Sequence, residues 1–155
     1  MCSSDLVSMI NCSFLNNESG GVYGVGGGGM YNEEGSISVI HCFFSGNHAA
    51  SNYNPYGGAM LNDKTSPLID SCIFIDNGAG FDGGAIENWG SGSPNIINCV
   101  FIGNTCGDDG GAIDNDAAGG SLTATIVNCT FVDNSDAIVN RSEEHTSELQ
   151  SRQSI

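Results

Sequence analysis

Basic side chains are almost missing from this chain: 3 Lys and Arg stand against 18 Asp and Glu, a formal net charge of −15. So negative a surface repels phosphate backbones and anionic headgroups, which argues against nucleic acid or an acidic membrane as a partner. Proline is scarce as well, at 3 in 155 residues, so nothing reads as a Pro-rich spacer. No apolar run is long enough to span a bilayer. The opening MCSSDL carries neither the basic segment nor the cleavage pattern of a secretory leader. There is no C-x-x-C pair, which disfavours a zinc cluster. Helical periodicity is also missing, and Gly-Gly pairs recur where a helix would need a continuous apolar stripe.

What the chain has instead is repetition, with a period of 27 to 30 residues. One anchor is C-x-F-x-x-N, found at Cys12-Phe14-Asn17, Cys42-Phe44-Asn47, Cys72-Phe74-Asn77, Cys99-Phe101-Asn104 and Cys129-Phe131-Asn134. The other is G-G-A-[IM]-x-N, at Gly57 to Asn62, Gly83 to Asn88 and Gly110 to Asn115. It is looser as GGGMYN (Gly27 to Asn32) and degenerate as SDAIVN (Ser135 to Asn140). A return of this length marks a solenoid, propeller or array.

Segments such as IINCVF and TIVNCTF are short, β-branched or aromatic, and bounded by Gly, Asn, Ser and Asp, which reads as strand. Cys and Phe, two apart, face one side of such a strand. The residue three before each Cys is apolar throughout (Met9, Val39, Ile69, Ile96, Ile126), and that odd offset implies a bend or bulge before the Cys. Short strands joined by bends, one turn stacked on the next, describe an all-β parallel β-helix of four to five coils. Like positions then lie about 4.8 Å apart, giving an inward Phe column, a Cys column and a corner column of Asn17, Asn47, Asn77, Asn104 and Asn134. At that corner Asn is expected to accept left-handed backbone and to bond its neighbours' amides.

These paired anchors resemble the GGAI/FxxN repeat of the polymorphic outer membrane proteins, within the wider class of right-handed parallel β-helix proteins of bacterial surfaces. The resemblance implies a right-handed solenoid and an extracellular or outer-membrane setting. The ends of the chain resemble something else. RSEEHTSELQS (Arg141 to Ser151) is similar to the translation of a common sequencing adapter, and CSSDL (Cys2 to Leu6) to that of its partner. Residues 1–6 and 141–155 are therefore expected to stand outside the fold, disordered or as a short unpacked segment. Residues 7–140 are expected to be a β-helix fragment of a larger protein, stacking on missing flanking coils of the same chain. Cut ends expose unpaired ladder edges, so the isolated chain is expected to associate or to be marginally stable.

Cys12, Cys42, Cys72, Cys99 and Cys129 share one column with parallel Cβ directions, which favours buried free thiols over disulfides. Cys106 reads as a loop thiol, and His41 and His48 as corner or loop residues. Between the two anchors run variable loops, Glu18 to Gly26, His48 to Tyr56, Gly78 to Asp82 and Thr105 to Asp109, all expected at one edge of the solenoid. Tyr23, Tyr53, Tyr56 and Phe81 there, with Trp89 in the loop after GGAIEN, are candidates to stack on a glycan or on a host or cell-surface protein. Asp108, Asp109, Asp114 and Asp116 are calcium candidates by their oxygen donors, although no calcium-loop spacing occurs and solvated acidic turns explain them as well. No other cofactor is indicated.

A polysaccharide lyase of this fold would need Arg or Lys against an acidic sugar, and residues 7–140 offer only Lys64. A hydrolase needs convergent carboxyls. Asp63, Asp82, Glu87, Asp114 and Asp116 sit in or beside repeat positions and are read as part of the repeat. The expectation is a non-catalytic, adhesin-like or structural fragment of a secreted or cell-surface protein. The alternative is a polysaccharide-binding or polysaccharide-degrading β-helix whose catalytic residues lie partly elsewhere.

Overall fold

The computed structural model describes residues 7–21, 26–51, 53–141 and the backbone of 149–150. Met1 to Leu6, Tyr23, residues 142–148 and residues 151–155 lie outside the described residues. The first coil comprises β1 (Val7–Ile10), β2 (Ser13–Leu15), β3 (Glu18–Gly21) and β4 (Met30–Glu33). The second comprises β5 (Ile37–Ile40), β6 (Phe43–Ser45), β7 (His48–Ser51) and β8 (Met60–Asp63). The third has β9 (Leu68–Asp70), β10 (Ile73–Ile75), β11 (Gly78–Ala79) and β12 (Ile86–Trp89), and the fourth β13 (Asn95–Ile97), β14 (Val100–Ile102), β15 (Thr105–Cys106) and β16 (Ile113–Asp116). A fifth turn holds β17 (Thr125–Val127), β18 (Thr130–Val132) and β19 (Ile138–Arg141), and β20 (Leu149–Gln150) follows.

Each strand pairs in parallel with its counterpart one coil away, building four sheets along a right-handed solenoid: β1-β5-β9-β13-β17-β20, β2-β6-β10-β14-β18, β3-β7-β11-β15 and β4-β8-β12-β16-β19. Among the described residues there is no helix. The strands are short because a corner ends each of them. Left-handed residues turn the chain just before every column Cys (Asn11, His41, Ser71, Asn98, Asn128) and just before every column Asn (Asn16, Gly46, Asp76, Gly103, Asp133). The bend inferred from the odd offset before Cys is therefore a single left-handed residue. At the second corner the expectation needs correction by one position: the residue before the ladder Asn takes the positive φ, and the Asn itself is free to bond along the column.

The core is a set of stacked like side chains. Phe14, Phe44, Phe74, Phe101 and Phe131 lie ring on ring, with centroids 4.6 to 5.0 Å apart and planes within 7° of parallel. The strand spacing dictates that geometry, and each aromatic contact contributes about 0.5–1.5 kcal/mol beyond burial. Beside them run Val39, Ile69, Ile96 and Ile126, and Met60, Ile86 and Ile113, all buried. The column cysteines are free thiols, and the sulfurs of Cys42, Cys72, Cys99 and Cys129 each accept, at 3.4 Å, from the backbone N–H of the Cys one coil earlier.

Asn17, Asn47, Asn77, Asn104 and Asn134 form a continuous amide ladder, with Nδ2 to Oδ1 distances of 2.8 to 2.9 Å. A second ladder, Asn32, Asn62, Asn88, Asn115 and Asn140, repeats the device at 2.7 to 2.9 Å.

Three expectations change. The segments read as pure loops begin as strand: β3, β7, β11 and β15 form the third sheet, so His48 and Cys106 are strand residues. Trp89, expected in a loop, ends β12. The boundary at 141 does not interrupt the ladder: Arg141 pairs with Asp116 in β19, and Leu149 and Gln150 pair with Ile126 and Val127. The open edge of the last coil offers backbone donors and acceptors to any extended segment, whatever its side chains.

Candidate functional site

The fourth sheet places side chains alternately inward and outward. In β12, Ile86 joins the core and Asn88 the amide ladder, which leaves Glu87 and Trp89 on the outer face. Register then builds two outward rows. One runs Tyr31, Leu61, Glu87, Asp114, Val139 and the other Glu33, Asp63, Trp89, Asp116, Arg141.

An outer face is normally wet, yet Glu87 and Asp114 are both 0% exposed. The Gly-Gly turns fold back over them: a Cβ on Gly83 would lie 2.8 Å from Glu87 Cβ, and one on Gly110 2.6 Å from Asp114 Cβ. Asp82 and Asp109, which immediately precede those turns, are brought to the same place, Asp82 buried and Asp109 on the rim. The backbone N–H of Asp109 donates to Asp82 Oδ1 at 3.0 Å.

Arg141 reaches across from the end of its row. Its Nη2 lies 3.1 Å from Asp82 Oδ1, 2.8 Å from Asp109 Oδ2 and 3.7 Å from Asp114 Oδ2, and its Nη1 lies 3.8 Å from Asp116 Oδ2. One cation thus faces a recess of five carboxyl groups. Neither oxygen of Glu87 nor of Asp114 has a hydrogen-bond donor, and of the two Asp114 has the Arg141 guanidinium at 3.7 Å. Burial above all, and then Asp114, Asp82 and Asp116, push the Glu87 pKa well above the ordinary range. Asp114 is pushed up to about 7, with burial leading, Arg141 opposing, and Asp82 and Asp116 adding to the rise. Burial beside other carboxylates thus favours the uncharged form of Glu87.

Aromatic rings border the recess. Tyr56 meets Phe81 edge-on at 5.8 Å and Trp89 at 4.9 Å with a 49° tilt. All three are partly exposed. Of the ring residues singled out in the sequence, the fold joins these three; Tyr53 is 64% exposed, and Tyr23 lies outside the described residues.

The acidic candidates also sort themselves. Asp109, Asp114 and Asp116 each lie within 4 Å of the Arg141 guanidinium. Asp108 sits nearby, with a carboxylate oxygen within 4.8 Å of those of Asp82 and Asp109. Solvated acidic turns do not describe Asp114 or Asp82, which are buried. Asp82, Glu87, Asp114 and Asp116, read from the sequence as part of the repeat, meet around one recess on two adjacent coils. Asp63 is separated from them in its row by Trp89 and pairs with Lys64 at 3.7 Å.

Sequence reasoning missed the partnership of Asp82 with Glu87. The signal was present in FDGGAIEN over DDGGAIDN, which stack Asp82 on Asp109 and Glu87 on Asp114 once the coils are aligned. Arg141 was missed because it was assigned to the tail.

A family model described as "Right handed beta helix region" matches residues 1–154. No curated protein matches the chain, and no solved structure does.

Proposed function

Because the chain belongs to the right-handed β-helix family, we propose that it is a rigid, non-catalytic binding scaffold of a secreted or cell-surface protein, with adhesin-like duty. The surface setting draws on the likeness of its paired anchors to the polymorphic outer membrane protein repeat and on its strongly acidic composition. The observation that carries binding is the ring cluster of Tyr56, Phe81 and Trp89, drawn from two adjacent coils: Trp89 ends β12, Tyr56 forms a parallel bridge to Gly26, and the Phe81 N–H donates to the Pro55 carbonyl. Aromatic faces held at the edge of a rigid solenoid suit the apolar faces of sugar rings. With acidic side chains around them, the ligand is a neutral or amine-bearing glycan and not a polyuronate.

A glycan array tests the reading. Saturable binding to at least one neutral glycan is expected, lost in Trp89→Ala while the β-rich circular dichroism is retained. Failure to bind any glycan, or binding unchanged in Trp89→Ala and Tyr56→Ala, overturns it.

A depolymerising enzyme is the second reading, favoured by the adjacency of Glu87 and Asp114 and their raised pKa values, since glycosidic cleavage uses one carboxyl of raised pKa beside another. Their complete burial keeps both from a substrate in this conformation. Release of reducing ends from a neutral polysaccharide, abolished in Asp114→Asn, would favour the enzyme over the scaffold.

A further inference from the structure

The recess beneath Arg141 is poorly matched to the group that occupies it. Nη2 of Arg141 has carboxylate oxygens of Asp82, Asp109 and Asp114 around it at 2.8 to 3.7 Å. Even so, this nitrogen and Nε form no hydrogen bond of good geometry. A guanidinium is a planar fork whose value lies in directed, paired bonds. Here it acts only as a point of positive charge. Independently, Glu87 stands in the outward row next to Asp114, wholly buried, with neither oxygen partnered. A buried carboxylate without a donor or a counter-ion is strongly disfavoured. Five carboxyl groups on two coils therefore face a single positive charge that satisfies none of them by hydrogen bonding.

A spherical ion has no such directional demand. Hard divalent cations take oxygen ligands from several carboxylates at once, calcium with six to eight and with tolerance for irregular geometry.

We propose that the recess formed by Asp82, Asp108 and Asp109, and bordered by Glu87, Asp114 and Asp116, is a calcium-type divalent cation site, and that Arg141 is an intramolecular competitor for it. Asp82, Asp108 and Asp109 are the primary ligands because a carboxylate oxygen of each lies within 4.8 Å of those of the other two. Asp114, 3.7 Å from the same Arg141 nitrogen that meets Asp82 and Asp109, stands behind them with Glu87 and Asp116. The site binds an ion and the aromatic cluster binds a glycan, so neither proposal depends on the other.

The single Trp of the chain supplies the test. Trp89 lies in register with Asp116 on the neighbouring strand, close enough to sensitise terbium, a luminescent stand-in for calcium. With Trp excitation, Arg141→Gln is expected to give saturable terbium emission that calcium displaces, with affinity about tenfold or more above that of the unsubstituted chain. Adding Asp109→Asn to Arg141→Gln should cost about tenfold or more in affinity. Asp109 is 45% exposed in its side chain, so this change tests the ligand set without unfolding a coil. Glu87→Gln in the same background should weaken binding as well, read together with circular dichroism to verify folding. Emission that does not saturate, that calcium leaves unchanged, or that is equal with and without Asp109→Asn overturns the site. Equal affinity with and without Arg141 overturns its role as competitor.

Discussion

Four hydrogen bonds meet on the side-chain amide of Asn77. Its Nδ2 donates to Asn104 Oδ1 and to the Phe44 carbonyl, and its Oδ1 accepts from both the backbone N–H and the Nδ2 of Asn47. Asn77→Ala would strand buried groups on both neighbouring coils, at about 1–3 kcal/mol each. A total loss of roughly 3 kcal/mol or more is expected from urea unfolding of this variant. Asn17→Ala, at the exposed end of the same column, should cost about 1 kcal/mol or less, because water replaces what is lost. Equal losses at the two sites would show that the ladder does not work as a chain of satisfied amides. These columns were legible because each recurs five times at one spacing. The left-handed corner was misplaced by one residue because the first repeat reads Asn16-Asn17, which fits either position. The set Asn16, Gly46, Asp76, Gly103 and Asp133 contains only residue types that tolerate positive φ, and it identifies the corner once aligned.

Among the elements, the Gly-Gly turns set how closely coils approach. The second glycine of each pair has no need of positive φ; its constraint is contact. A Cβ on Gly84 would stand 2.1 Å from the Gly111 carbonyl oxygen and 2.5 Å from that of Thr105. Backbone cannot yield there without parting two coils. Gly84→Ala is expected to remove cooperative folding or to lower the melting temperature by well over 10 °C, beyond the ordinary overpacking cost of about 1–3 kcal/mol. Gly119→Ala, at φ +80° with nothing within 4 Å, should cost only about 1–2 kcal/mol of backbone strain. A mild Gly84 variant would mean that the coils are not held so tightly. The third sheet escaped the sequence reading because its strands are two to four residues of Gly, Ala, Ser and the like, too short and too small for any alternation to register. The acidic recess escaped it for another reason: it exists only where two coils and Arg141 meet, and no single repeat carries it.

The whole molecule is a column with two ends. Among the described residues, β1, β2, β3 and β4 each have a partner on one side only. Val7, Ile10 and Leu15 there are 50 to 58% exposed. Such an edge is a template for pairing with another chain. Light scattering on the isolated chain is expected to show concentration-dependent association, and Leu15→Lys, which puts a charge on that edge, to suppress it. A chain that stays monomeric across the range sinks this expectation. The overall architecture was readable from the repeat because a solenoid's sequence states its own stacking. What the ends do was not readable, since the pairing of β20 with β17 follows no repeat position of the sequence.

In this column the ladder bonds lie along the long axis and the strands lie across it. Tension applied between the first coil and the last therefore meets one rung at a time, in the manner of a zip, while a sideways load is shared by every sheet together. Each turn that lets go releases a loop of 27 to 30 residues, about 100 Å of contour at full extension. Stretched along its axis, the protein would lengthen by discrete, nearly equal increments at low force, a tether that yields stepwise yet stays stiff against bending and shear.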